Sequence, residues 1–212
     1  MRRKRRTGIF YKVFLFFVML IWCVPGNTTG EERLENFLKH LRNMTGHFTQ
    51  TVTVNGKESA SQAASGTFAL SRPGKFKWEI QKPDYQSIVS NGATVWIYDK
   101  GLEQVTIQPL SNNTPIGILG VLLGNNNLKK DFEIRECVYK GYEAVELIPK
   151  GEAGFTRAVL AFANDLIREV VISDAFGQES RYVFSSINAK ATFKQNTFEF
   201  KPPAGVDIIE NR

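Results

Sequence analysis

The chain has 212 residues and a formal net charge of +6, with a sequence pI near 9.3. Six of its 27 basic residues fall in residues 1–30, which hold no acidic residue, so the other 21 meet 21 acidic ones and residues 31–212 are neutral. A neutral body argues against a nucleic-acid binder, which needs a basic face to displace phosphate counterions. At 42% hydrophobic and 23% charged residues it can build a core, and its length suits one domain.

The first segment reads as an export signal. Arg2, Arg3, Lys4, Arg5 and Arg6 open the chain, an apolar run follows from Val13 to Val24, and Pro25-Gly26 ends it. A basic start, a short apolar stretch and a small-residue exit make a secretory signal peptide, residues 1–30, with cleavage near residue 26 or 30. A run of twelve to sixteen residues spans roughly 18–24 Å as a helix, short of the roughly 30 Å hydrocarbon core. Trp22 before Cys23 is too bulky for a lipoprotein-processing pocket. With Cys23 removed, Cys137 is left without an intramolecular partner and reads as a small core residue. Residues 31–212 form a single domain.

From Glu31 to Met44 the apolar residues Leu34, Phe37, Leu38, Leu41 and Met44 recur at helical spacing. After Gly46 the period becomes two. Strands are expected at Phe48–Val54, around Phe68 and Leu70, and at Phe76–Ile80, Gln86–Ser90, Thr94–Tyr98 and Leu102–Gln108. Others follow at Phe132–Val138, Tyr142–Ile148, Phe155–Phe162, Leu166–Ser173, Ser180–Ser186 and Thr197–Phe200. Asn91-Gly92, Lys140-Gly141, Asn164-Asp165 and Phe176-Gly177 supply turns. About eleven short strands joined by short turns predict a mainly β, antiparallel meander.

One segment interrupts it. Thr114 is placed as an N-cap, Pro115 at the first helical position and Gly124 as a stop. Between them Ile116, Ile118, Leu119, Val121, Leu122 and Leu123 make a helix that is apolar on every side. It is a core helix, a plug in a curled sheet, or a face for an apolar ligand.

Catalytic signatures are lacking. His40 and His47 are the only histidines, with no second ligand at metal spacing. No nucleophile elbow, Walker loop or dinucleotide fingerprint occurs. The expectation is a non-enzymatic protein with no cofactor and no metal.

Gly66, Phe68, Arg72, Pro73, Phe76 and Trp78 stand in a G-x-F-x-x-x-R-P-x-x-F-x-W block. Ser90-Asn91-Gly92 with Trp96 and Tyr98 follows, then Leu102-Glu103-Gln104. Phe48-x-Gln50-x-Val52 precedes, and Asn113-Thr114-Pro115 and Phe198-x-Phe200-x-Pro202-Pro203-x-Gly205-Val206 come after. This series resembles the outer-membrane lipoprotein carrier (LolA) family, with Asn91 where the family usually has Asp. The resemblance implies an unclosed antiparallel β-barrel with an N-terminal helix and an apolar lid helix. It implies a monomeric periplasmic chaperone that shields lipoprotein acyl chains between an inner-membrane lipoprotein-releasing ABC transporter and an outer-membrane lipoprotein receptor. An outer-membrane receptor or a lipoprotein-sensing regulator domain of the same fold is the alternative. It further implies that Arg72 locks the lid and that Phe76 docks the transporter. Pro115, Ile116, Ile118, Leu119 and Leu122 are lid and cargo contacts. Phe68, Trp78 and Trp96 are assigned to the cavity wall or core. By alternation alone, Phe76 and Trp78 also read as two core residues.

Overall fold

The computed structural model describes residues 29–110, 122 and 128–211. The described chain begins with helix α1 (Gly30–His40), which opens on a reciprocal cap. The Thr29 hydroxyl accepts from the Glu32 amide at 3.2 Å, and the Glu32 carboxylate accepts from the Thr29 amide at 3.1 Å. Glu31 and Glu32 sit in the first turn and Lys39 and His40 in the last, each on the favourable end of the helix dipole. Thr29→Ala is expected to cost about 1 kcal/mol, read as a lower melting temperature.

The helix ends four residues before the expected Met44. Leu41 is already extended, and Asn43 and Met44 pair with Ser71 and Leu70. Leu41 and Met44 fit the helical period, but both are buried after the chain has turned into the sheet. The Asn43 side chain fixes the corner, donating to the Ala191 carbonyl at 2.9 Å and accepting from the Ser71 hydroxyl at 2.8 Å.

Twelve strands follow among the described residues. They are β1 (Asn43–Val54), β2 (Lys57–Ser71), β3 (Lys75–Lys82), β4 (Gln86–Asn91), β5 (Thr94–Asp99) and β6 (Gln104–Pro109). After the short helix α2 (Leu128–Asp131) come β7 (Phe132–Tyr139), β8 (Tyr142–Pro149), β9 (Arg157–Ala163), β10 (Leu166–Ser173), β11 (Gln178–Asn188) and β12 (Asp207–Glu210). The sheet order is β12-β6-β5-β4-β3-β2-β1-β11-β10-β9-β8-β7. It is two meanders joined where β1 pairs with β11, and it ends in two edges, β12 and β7, so it is unclosed.

The turns act as expected. The Asn91 side chain accepts from the amides of Ala93 and Thr94 at 3.0 and 2.9 Å, and Gly92 takes the left-handed φ of +97° that the hairpin requires. At Gly66 a Cβ would lie 1.8 Å from the Glu79 carbonyl oxygen, so only glycine lets β2 approach β3 there.

Two expectations at the C-terminus are corrected. Thr197–Phe200 is not a strand: Phe198 is buried against Phe193 at 4.9 Å, and Phe200 lies 5.8 Å from Tyr98. Alternating aromatics here serve packing in a turn rather than pairing. The strand comes later, at Asp207–Glu210, and runs parallel to β6, the one parallel pair among the described strands.

The side chains divide by alternation. On β9, Ala158, Leu160 and Phe162 join the main core, while Val159 and Ala161 join a smaller cluster with Ala144 and Val171 on the other face. The main core covers the inner face across both meanders and takes in Leu34 and Phe37 of α1. Strand β6 lies beside one edge and β7 forms the other. Leu110, Leu122 and Leu128 all pack on the inner core.

Candidate functional site

The inner face carries an aromatic floor. Phe48 and Trp78 stack with centroids 3.9 Å apart, and Phe68 lies 6.0 Å from Trp78. Phe184 meets Phe68 edge-on at 5.4 Å, and Tyr182 meets Trp78 edge-on at 5.8 Å. Strand pairing builds this arrangement: Phe68 lies opposite Trp78, Phe48 opposite Phe184, and Gln50 opposite Tyr182. Rings in offset and edge-to-face pairs contribute beyond the area they bury. Beside them β8, β9 and β10 add an aliphatic wall of Val145, Leu147, Leu160 and Val170, all fully buried.

Helix α1 lies over this face and is strapped at both ends. At its start the Gly30 amide donates to the Glu136 carboxylate of β7 at 2.8 Å, and Arg33 pairs with Glu143 and Asp165. Lys129 of α2 pairs with Glu31 at 2.9 Å. Midway, Phe37 meets Phe162 edge-on at 5.8 Å. At its end the Arg72 guanidinium donates to the Leu38 carbonyl at 2.5 Å, while the Arg72 amide donates to the Arg42 carbonyl at 2.8 Å. The last carbonyls of a helix lack partners in the helix itself, and a cation there also meets the negative end of the dipole. Burial, with Arg42 beside it, holds the Arg72 guanidinium below its ordinary pKa.

The residues singled out in the sequence fall into four groups. Phe68 and Trp78 lie on the inner face, at 7% and 9% exposure. Trp96 does not. Its neighbours Val95 and Ile97 pack on the inner core, so alternation turns the Trp96 side chain to the opposite face. The aromatic character that suggested a wall residue carries no information about facing; the register does.

Phe76 is 1% exposed, opposite Leu70 and Ser90, and belongs to the inner core. In this structure it is packed inside, as the alternation reading has it, rather than presented at the surface. Its position, two residues from Trp78 on the same strand, is the alternation signal itself. Pro115, Ile116, Ile118 and Leu119 lie outside the described residues. Leu122 is helical, 3% exposed and packed in the inner core.

Sequence reasoning missed Phe37, Phe162, Tyr182 and Phe184 as parts of this face. Each sits at a position whose spacing was legible, but which strands pair across β1–β11 was not. The chemistry available is apolar. Among the described residues no group of three or more His, Cys, Asp or Glu side chains is placed to hold a metal. Burial first, then Glu146, pushes the Cys137 thiol above its ordinary pKa, so it is a poor nucleophile. Cys137→Ala should therefore leave the binding of an apolar fluorescent probe unchanged, checked by titration. No helix among the described residues is long and apolar enough to cross a membrane.

Comparison with known proteins agrees with this geometry. An uncharacterized conserved protein from Thermus thermophilus has a similar fold, with a TM-score of 0.56 at 14% identity over 85% of this chain and 98% of that one. An outer-membrane lipoprotein carrier protein of Dechloromonas aromatica (strain RCB) is 37% identical over 207 residues, 96% of this chain and 99% of its own. The carrier of the same name from Nitrosospira multiformis is 36% identical over 93% of this chain and 95% of its own. Residues 39–201 match the family described as outer membrane lipoprotein carrier protein LolA. An unclosed sheet with an aromatic inner face under a strapped helix, matched over most of its length, makes this chain a member of the outer membrane lipoprotein carrier family.

Proposed function

We propose that the protein is a periplasmic chaperone that shields the acyl chains of lipoproteins on its inner face and carries them toward the outer membrane. Loading comes from an inner-membrane lipoprotein-releasing ABC transporter, and delivery is to an outer-membrane lipoprotein receptor. The observation that carries this function is the continuous apolar inner face of an unclosed sheet, filled by α1 and Leu122 instead of by a second sheet. A closed barrel has no edge through which long chains enter sideways; a sheet ending in β7 and β12 does.

The energetics set the design. A lipoprotein anchor holds roughly 40 methylenes, so its exposure to water costs on the order of 30 kcal/mol at about 0.8 kcal/mol each. Free transit is negligible, and a rigid open pocket would release such a ligand too slowly. Side chains that refill the face when it is empty compete with the chains and reduce net affinity. Leu34, Phe37 and Leu122 are placed to do so. The helix expected at 115–123 completes this lid, with Arg72 as its lock.

Incubation of the mature protein with spheroplasts tests the carriage. Newly made lipoproteins should appear in the soluble fraction bound to it. Their retention in the inner membrane would overturn the function.

The export signal has a consequence for processing. Cleavage after Gly30 would remove the Thr29 cap and the Gly30 amide that bonds Glu136; cleavage after Gly26 keeps both. N-terminal sequencing of the exported protein should therefore return Asn27 as the first residue, not Glu31. Recovery of residues 1–24, or acylation at Cys23, would identify an anchored protein instead.

A further inference from the structure

The inner face changes character along the β1–β11 junction. In one row across the sheet, Val145, Leu160 and Val170 are followed by Tyr182, Gln50 and Ala64. In the next row Ala158 and Ile172 are followed by Ser180 and Val52. Strands β8 to β10 are thus apolar in both rows, and the polar side chains begin where β11 meets β1.

Gln50 is two residues from Phe48 on the same strand and on the same face, opposite Tyr182. It is half-buried, and among the described residues its carboxamide has no hydrogen-bond partner. Tyr182 packs its ring on Phe48 and Trp78, and Ser180 stands two residues before it on β11, on the same face. An amide, a phenol and a hydroxyl therefore stand in contiguous positions at the end of an aliphatic wall.

A lipoprotein anchor has the matching division. Its chains are hydrocarbon, and they converge on ester and amide groups at the modified N-terminal residue. Esters only accept hydrogen bonds; the amide donates and accepts. The geometry points to Gln50, Ser180 and Tyr182 as a polar subsite that hydrogen-bonds these ester and amide groups while the chains lie along Leu160, Val170 and Ile172. The subsite presupposes lipoprotein carriage and adds to it an orientation: the peptide leaves the protein at the β1–β11 junction. It also gives a selection rule, since a bare hydrocarbon satisfies the wall but not the three polar groups.

The test titrates the mature chain with two fluorescent probes, a dansylated tripalmitoyl-cysteinyl peptide and a pyrene-labelled hexadecane. Gln50→Leu and Tyr182→Phe should each weaken the lipopeptide about three- to ten-fold, and leave the alkane as tight as before. Tyr182→Phe keeps the ring, so it decides the matter if Gln50→Leu melts early. Lipopeptide affinity unchanged in both variants, or lipopeptide and alkane weakened together, would overturn the subsite. A wild-type chain that takes the alkane but not the lipopeptide would instead overturn lipoprotein carriage itself.

Discussion

Phe76→Glu is expected to leave little folded protein at 37 °C. The ring is 1% exposed in the inner core, with Leu70 and Ser90 opposite on its two neighbouring strands. Removing a buried Phe side chain costs roughly 3–5 kcal/mol. A carboxylate placed there must be desolvated, which adds several kcal/mol or forces protonation. The whole stability of such a domain is about 5–15 kcal/mol. Phe76→Leu, which keeps most of the volume, should cost less than about 1.5 kcal/mol and retain cargo loading. Thermal melting of the three proteins checks this. A Phe76→Glu protein that melts like the wild type yet fails to accept cargo would restore a docking role and require the core around β3 to open on contact.

The difference between Phe76 as packing and Phe76 as contact shows what one sequence resolves. Alternation of Phe76, Trp78 and Ile80 with Lys75, Lys77 and Glu79 specifies that three side chains share a face, because the period of a strand is two. It does not specify which face is inside. That depends on neighbours: Trp78 is inside because Phe48, Phe68 and Phe184 surround it, and the first and last of these are 136 positions apart. Trp96 fails for the same reason, since Val95 and Ile97 take the inner positions on β5. Local signals did better. Asn91-Gly92 and Phe176-Gly177 turn where expected, because a left-handed glycine is a property of two residues. The end of α1 and the parallel strand β12 were illegible. Met44 satisfies either period, standing three residues after Leu41 and four before Phe48, and β12 offers only Ile208 and Ile209 between Asp207 and Glu210, too short a pattern to register.

Arg72→Leu should accept cargo and pass it on poorly. The structure gives Arg72 a partner on the covering layer, the Leu38 carbonyl in the last turn of α1. The proposed lock joins this contact to the expected lid at 115–123. A hydrogen bond from a charged donor contributes roughly 1.5–3 kcal/mol, and its loss also leaves the helix end without that cation. Leucine keeps an apolar body at the position and removes only the donors. The loss falls on the empty, covered state if cargo displaces α1 from the face, because then the loaded state holds no such bond to lose. The covered state drops relative to the open one, and apparent affinity for an apolar probe rises by about tenfold or more. Tighter holding slows release, so loaded carrier accumulates in the periplasmic fraction while delivery to outer-membrane acceptors falls. The sign separates this from simple damage: a variant that is merely less stable binds its probe more weakly and melts lower. Arg72→Lys retains the charge on a more flexible stem and should fall between the two. Delivery at the wild-type rate with unchanged probe affinity in Arg72→Leu would show that Arg72 ties down the end of α1 without governing the exchange of cargo.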